Sequence, residues 1–233
     1  MAQDVNVTHL CRVADALATL EEKFVFVGGA TVQLYATDLA AAEARPTQDI
    51  DVVVALVNYN DPAKLEVKIL QLGFLNDIMS DVICRYIYQG ITVDIMPTES
   101  SVLGFTNKWY SEGLAHTVDY QIGKAYSIPI LSAPYFLATK LEDFKSQRHG
   151  ADLRGNSDFE DIVYLFDNRV ELADEIKASP VSVRSYLVNE IQQLLQHPNR
   201  HECISVHLEY ATASPRTDRI IKIWHEIINT DAL

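Results

Sequence analysis

The chain is short of positive charge. Lysine and arginine number 19 against 32 aspartates and glutamates, a formal net charge of −13. Such a field repels polyanions, so the chain is not a general binder of nucleic acid, and a nucleic-acid partner would need a local basic patch. Cysteine is also scarce. Cys11, Cys84 and Cys203 are scattered and form no CxxC pair, which excludes the usual zinc-ligand spacing and any disulfide framework. They read as ordinary thiols in a reducing compartment. No apolar run approaches the roughly 20 residues of a membrane span. The first residues carry Asp4, Arg12 and Asp15 and no apolar signal core, so a cytoplasmic location away from membranes is expected. No internal repeat or low-complexity tract stands out.

What is present is ordinary globular material. Hydrophobic residues make up 48% of the 233 and charged residues 22%, enough for one large domain or two small ones with a substantial core. The most organised stretch is residues 24–54, read as strand, glycine turn, helix, loop, strand. Phe24, Val25, Phe26 and Val27 form the first strand, and Gly28-Gly29 ends it. The composition of residues 30–39 predicts a helix whose first N–H groups suit an anion. The second strand, 50–57, opens with Asp49-Ile50-Asp51. Strand side chains alternate, so the two carboxylates share one side. They repel one another, and a bound divalent cation is the usual relief.

Arg45-Pro46-Thr47 precedes that strand. Pro46 keeps Arg45 extended, which leaves Arg45 three readings: reaching a pocket, offsetting the Asp49 and Asp51 charge, or lying on the surface. Upstream, Leu10, Val13, Ala14, Leu17 and Leu20 mark an amphipathic helix over 7–22. Downstream, Asp61 as cap and Pro62 at the first position start a helix that Gly73 ends. Residues 82–88 and 91–96 predict an antiparallel hairpin turned at Gln89-Gly90. Asp94 lies in its returning strand between Val93 and Ile95. Either it sits on an exposed edge face, or it is a carboxylate that must be paired or metal-bound.

Residues 100–124 show no clear pattern. Residues 126–131 predict a strand with Pro129 at an edge, and 135–147 a helix. Lys140 shares that helix's apolar face with Phe136 and Phe144. It either snorkels to solvent or projects its ammonium into a cleft. Lys145, Arg148, His149 and Arg154 are the densest basic stretch, a solvated loop or else a docking patch for RNA. Ser157 and Glu160 read as a capping box, with Asp158 and Asp161 on one side of the helix it opens. Helices are expected over 170–178, 181–196 and 218–230, and a strand over 203–208.

Gly28-Gly29 followed by R45-P-T-Q-D-I-D resembles the signature of the DNA polymerase beta nucleotidyltransferase superfamily. The form GG…R-x-T-x-DID is most similar to the AbiEii-type abortive-infection toxins and related minimal nucleotidyltransferases. The likeness covers the N-terminal half, continues more weakly through SAPYFLATKLEDF and NSDFEDIVYLF, and fades after about Ser179. Gly29 stands where the wider superfamily has serine, which removes a serine–phosphate contact from the expectation. The Asn-Ser-Asp start at Asp158 also replaces the family's lysine-containing form, so that carry-over is partial.

The resemblance implies an α/β (α+β) fold, a small mixed sheet with flanking helices in a core of residues 1–131, and a mainly helical part, 132–233, completing a cleft. It implies catalytic roles for Asp49, Asp51, Asp94 and Lys140. The metal ligands would be Asp49, Asp51 and Asp94, holding two Mg2+ ions or Mn2+. Nucleotide contacts would come from Gly28, Gly29, Arg45, Thr47, Lys140 and Asp158, with Asp158 also holding Lys140. The implied activity moves a nucleoside monophosphate from a nucleoside triphosphate onto an RNA or tRNA 3′ end or a protein, in a toxin with an antitoxin partner. A nucleotide arriving with its magnesium meets a smaller barrier from the −13 charge than free RNA does. Two alternatives are a transferase acting on a small antibiotic-like molecule and a non-catalytic binding module of the same fold.

Overall fold

The computed structural model describes residues 5–55, 62–98, 107–122, 126–146 and 152–230. The chain divides into two compact units. One comprises Met1–Thr31 with Arg45–Ser132, the other Val32–Ala44 with Ala133–Leu233.

The first unit contains a seven-stranded mixed sheet among the described residues: β1 (Lys23–Val27), β2 (Asp49–Ala55), β3 (Leu75–Asn76), β4 (Arg85–Tyr88), β5 (Ile91–Pro97), β6 (Thr117–Ile122) and β7 (Tyr126–Leu131). The strand order is β3-β4-β5-β2-β1-β7-β6. β1 and β2 are antiparallel, and β2 and β5 are parallel. The apolar runs Phe24–Val27 and Val52–Val54 are buried residue after residue, so these central strands are covered on both faces and carry no polar alternation there. Helix α1 (Val5–Leu17) buries Leu10, Val13 and Leu17, three- and four-residue steps that make one stripe. It ends before the expected residue 22. Helix α2 (Pro62–Gln71) follows; its expected cap, Asp61, lies outside the described residues, as do Val57 and the basic residues Arg148 and His149. Gly73 leaves α2 at φ +92, and α3 (Trp109–Gly113) is short.

β4 and β5 form the expected hairpin. Gln89 (φ 49) and Gly90 (φ 81) both adopt the left-handed conformation that a two-residue turn of the right twist requires. Tyr88 therefore faces Ile91, and Arg85 faces Asp94.

Two further expectations are corrected. The segment after Gly28 is a 3-10 helix, Gly29–Tyr35, rather than an α-helix over 30–39. The Thr31 amide and hydroxyl both donate to the Gly28 carbonyl, at 3.2 and 2.9 Å, which closes a three-residue turn in place of a four-residue one. Pro129 lies on an internal strand, between β1 and β6. Proline lacks the N–H a full ladder uses, and the β1–β7 ladder is confined to the Phe26–Ile130 register.

The second unit is helical: α4 (Ala133–Lys145), α5 (Ser157–Asn168), α6 (Leu172–Ala178), α7 (Val181–Gln196), α8 (Arg200–Ser205) and α9 (Ala213–Thr230). Val183, Leu187, Ile191 and Leu194 form the buried seam of α7, and Trp224 of α9 meets Phe166 of α5 edge-on at 5.7 Å. The strap 32–44 is tied to α5: Thr37 and Asp38 amides donate to the Asn168 carbonyl, and the Tyr164 hydroxyl to the Ala42 carbonyl. Asp167, its side chain 1% exposed, joins α5 to α9 through Arg216 and Arg219. The cap of α5 is Asn156, whose side-chain Oδ1 accepts from the Asp158 and Phe159 amides at 3.0 Å each; the expected Ser157 cap is displaced by one residue. Residues 200–205 are helix, not strand. Cys203 and Ile204 are buried side by side, which a half-buried strand would not allow. No helix among the described residues is long and apolar enough to cross a membrane.

Candidate functional site

The sheet register assembles the acidic residues. In β2, Asp49 and Asp51 point to one face. Across the parallel β2–β5 pair Asp51 faces Asp94, and across the antiparallel β4–β5 pair Asp94 faces Arg85. Direct partners share a face, so Asp51, Asp94 and Arg85 form a row over three neighbouring strands, with Asp49 one step along β2. The row carries three carboxylates and one guanidinium.

Gly28 closes one end. It leaves β1 at φ +72, a conformation costly for any residue with a Cβ. A Cβ built there would stand 1.9 Å from an Asp51 carboxylate oxygen. Glycine is therefore required twice, by the backbone and by the approach of Asp51.

Arg85 closes the other end, and no pattern in the sequence analysis had marked it. Its Nε donates to Asp94 Oδ1 at 2.8 Å and its Nη2 to Asp94 Oδ2 at 2.8 Å. The same Nη2 donates to Asp49 Oδ2 at 3.1 Å. This is the paired-fork arrangement in which arginine grips a carboxylate most strongly. The hydrogen bonds to Asp94 hold the guanidinium's pKa above the ordinary arginine value against the opposing effect of burial, and the charges of Asp94, Asp49 and Asp51 add to the rise. Next to it, the Cys84 thiol is pushed up to about 11, by burial first and by the Asp94 charge second. That thiol stays protonated at neutral pH, so Cys84 is no nucleophile here.

Thr47 anchors the start of β2. Its amide donates to Asn6 Oδ1 at 3.1 Å, and its hydroxyl donates to the Asp49 carbonyl at 3.1 Å. The Arg45 carbonyl accepts from the Asn6 amide at 3.1 Å. The buried Asn6 thus fixes the R45-P-T segment that delivers Asp49.

In the helical unit Lys140 does not snorkel. It is 6% exposed, and its ammonium lies 3.0 Å from Asp158 and 2.7 Å from Asp161. Burial works against the charge, but Asp161 and Asp158 outweigh it and raise the lysine pKa. Asp158 and Asp161, which N-terminal helix acids on the surface would also have explained, are 4% and 1% exposed. Of the basic stretch, Lys145 pairs with Glu142 and Glu190, and Arg154 with Asp152 and Glu202. Both residues have acids for partners.

Asp49 and Asp51, on one face of β2, offer the hard oxygen donors that a divalent cation such as magnesium takes. Both Asp94 oxygens are engaged by Arg85. Among the described residues no group of three or more His, Cys, Asp or Glu side chains is arranged to hold a metal ion.

No protein-family model matches the chain, and no curated protein sequence matches it. Solved structures do match. One is the crystal structure of an antigenic nucleotidyltransferase-like protein from Paracoccidioides brasiliensis, similar over 88% of this chain and 94% of that one, with a TM-score of 0.53 and 15% sequence identity. At that identity the likeness is one of fold, and the mixed sheet with its C-terminal helices is a nucleotidyltransferase-like fold.

Proposed function

We propose that the protein is a nucleotidyltransferase, moving a nucleoside monophosphate from a nucleoside triphosphate onto an acceptor hydroxyl. The observation that carries the proposal is the close approach of Gly28 to Asp51, with Asp49 and Asp94 on the same face of the sheet, in a chain of nucleotidyltransferase-like fold. In the reaction the acceptor oxygen attacks the alpha-phosphorus in line. A new P–O bond forms, the bond to the bridging oxygen breaks, pyrophosphate leaves and the acceptor proton passes to solvent. Asp49 and Asp51 would hold magnesium, or manganese in its place. When bound, the ion supplies charge stabilisation to the phosphate oxygens. The bare Gly28 backbone lets the Asp51 carboxylate close in at that end of the row. Arg85 keeps Asp94 and Asp49 in place and adds a fixed positive charge.

For the acceptor, the AbiEii-type resemblance favours an RNA 3′ end, tRNA included, or a protein, and with it a toxin neutralised by an antitoxin partner. The −13 charge makes a bound nucleotide with its magnesium the easier ligand and requires any RNA to dock locally.

The test is incubation with alpha-labelled nucleoside triphosphates, magnesium, and either total RNA or cell lysate. Label is expected on one acceptor class, and Asp49→Ala is expected to abolish it with the fold retained by circular dichroism. No label on RNA, protein or small molecule, or an Asp49→Ala variant as fast as the parent, overturns the proposal.

A further inference from the structure

We propose that Arg85 is a resident cation at the Asp94 end of the acidic row, so that the site takes one divalent ion, on Asp49 and Asp51, and uses a guanidinium where a second ion would sit. The inference deepens the phosphate-transfer reading and rests on it for the need to neutralise charge at this place.

Three observations carry it. First, Asp94 is committed: each of its oxygens accepts a 2.8 Å hydrogen bond from the same guanidinium, and its side chain is only 10% exposed. An incoming cation would have to strip two charge-assisted hydrogen bonds from a poorly hydrated carboxylate and then stand beside a positive charge. Second, the guanidinium reaches past Asp94 to Asp49 at 3.1 Å. It therefore lies between the two carboxylates that a pair of ions would need to share, and Asp49 and Asp51 remain the β2 donors. Third, the arrangement is built in by the backbone. The two-residue turn at Gln89 and Gly90 sets Arg85 opposite Asp94, so the hairpin brings the two side chains to one face.

Arg85 is also suited to the task chemically. Arginine stays charged at every working pH, and the hydrogen bonds to Asp94, with the charges of Asp94, Asp49 and Asp51, reinforce that against the opposing effect of burial. Nε and Nη2 make the contacts to Asp94 and Asp49. The Nη1 donors have no partner among the described residues and are left for an anionic oxygen of a bound nucleotide. A guanidinium offers fixed directional donors, unlike an ion that exchanges with solvent. The site would thus need less free metal to be charged for reaction.

The probe is Mn2+ alone, titrated into the full-length protein and followed by the electron paramagnetic resonance of the free ion. The parent is expected to bind about one Mn2+ per chain. Arg85→Met, which keeps an unbranched apolar stem and removes the guanidinium with its charge, is expected to bind about two, with the first ion held at least tenfold more tightly. Circular dichroism melting checks that this variant is folded. Should it fail to fold, Arg85→Lys serves in its place: a single ammonium cannot hold both Asp94 oxygens and Asp49 together, so a second ion is expected to enter, at higher concentration. A parent that binds two ions, a parent that binds none, or a folded variant with the parent's number and affinity overturns the inference. The two proposals fail separately. A parent that labels an acceptor but binds two ions loses only the role given to Arg85. A parent that binds one ion but labels nothing loses the transferase reading.

Discussion

Each unit of the molecule holds a cluster in which a cation meets two carboxylates, at Arg85 in the first and at Lys140 in the second, and these two differ in how far water reaches them. Around Lys140 the side chains of the lysine, Asp158 and Asp161 are 7%, 6% and 1% exposed. Around Arg85 the values are 25% for the arginine, 10% for Asp94 and 36% for Asp49. Around Lys140 little water reaches the three side chains, and the ammonium ties the start of α5 to α4 through Asp158 and Asp161. A half-open row can trade a protein contact for a ligand. The same pairing chemistry thus stands enclosed in one unit and half-open to water in the other.

Removing the cation should separate the two clusters most sharply. Lys140→Met leaves two buried carboxylates without their lysine and should cost about 3–5 kcal/mol, read by urea unfolding. Arg85→Met should cost less, about 2 kcal/mol, because water can reach Asp49. Equal losses would mean that the Arg85 row is as structural as the triad. About 1 M salt, where the screening length falls to about 3 Å, should weaken the Arg85 pair and leave the Lys140 triad's contribution almost unchanged.

The alkaline side offers a second contrast. The pKa of Lys140 is raised in the folded protein, so its contribution is fully present below the unfolded lysine value of about 10.4 and is lost only as pH rises above that, through the higher folded value. Stability followed from pH 8 upward should show no lysine-dependent loss below about pH 10, and the dependence should vanish in Lys140→Met. A loss near neutrality would show that the triad is open to water after all.

Smaller effects probe the frames that hold each cluster. Gly28→Ala should destabilise the protein by about 1–2 kcal/mol from the backbone alone. The displacement of Asp51 should also weaken Mn2+ binding, so that a stable variant with parental metal affinity would contradict the close approach. Asn156→Ala removes the cap of α5 and should cost about 1 kcal/mol in thermal unfolding, with no change in Mn2+ binding, since its contacts lie in the helical unit.

Much of the first unit was legible because its signals are local. Apolar runs, a double glycine and the Asp-x-Asp spacing placed β1 and β2, and Asp49 and Asp51 share a face because strand side chains alternate. The hairpin contained more than was drawn from it. With Gln89-Gly90 as a two-residue turn, counting outward pairs 88 with 91 and 85 with 94. Cross-strand opposite charges at Arg85 and Asp94 were therefore readable before any coordinates. The segment after Gly28 misled because its helical composition gave no hint that Thr31 would close a tighter turn. Residues 203–208 misled because six residues of alternation are too few to tell a strand from one and a half helical turns. Pro129 suggested an edge strand, yet proline restricts only the ladder that needs its N–H.

The amino-acid order by itself determined β1, β2, the β4–β5 hairpin with its two-residue turn and the one-sidedness of Asp49 and Asp51, since each depends on neighbours a few residues apart. Tertiary structure alone decided that Arg85 reaches Asp49, that Asp51 leans over Gly28, and that Lys140 is enclosed by Asp158 and Asp161. Those pairings join residues 36, 23, 18 and 21 positions apart. Whether such side chains meet, and whether water meets them too, depends on how whole elements pack, which burial of the apolar faces settles and no local pattern encodes.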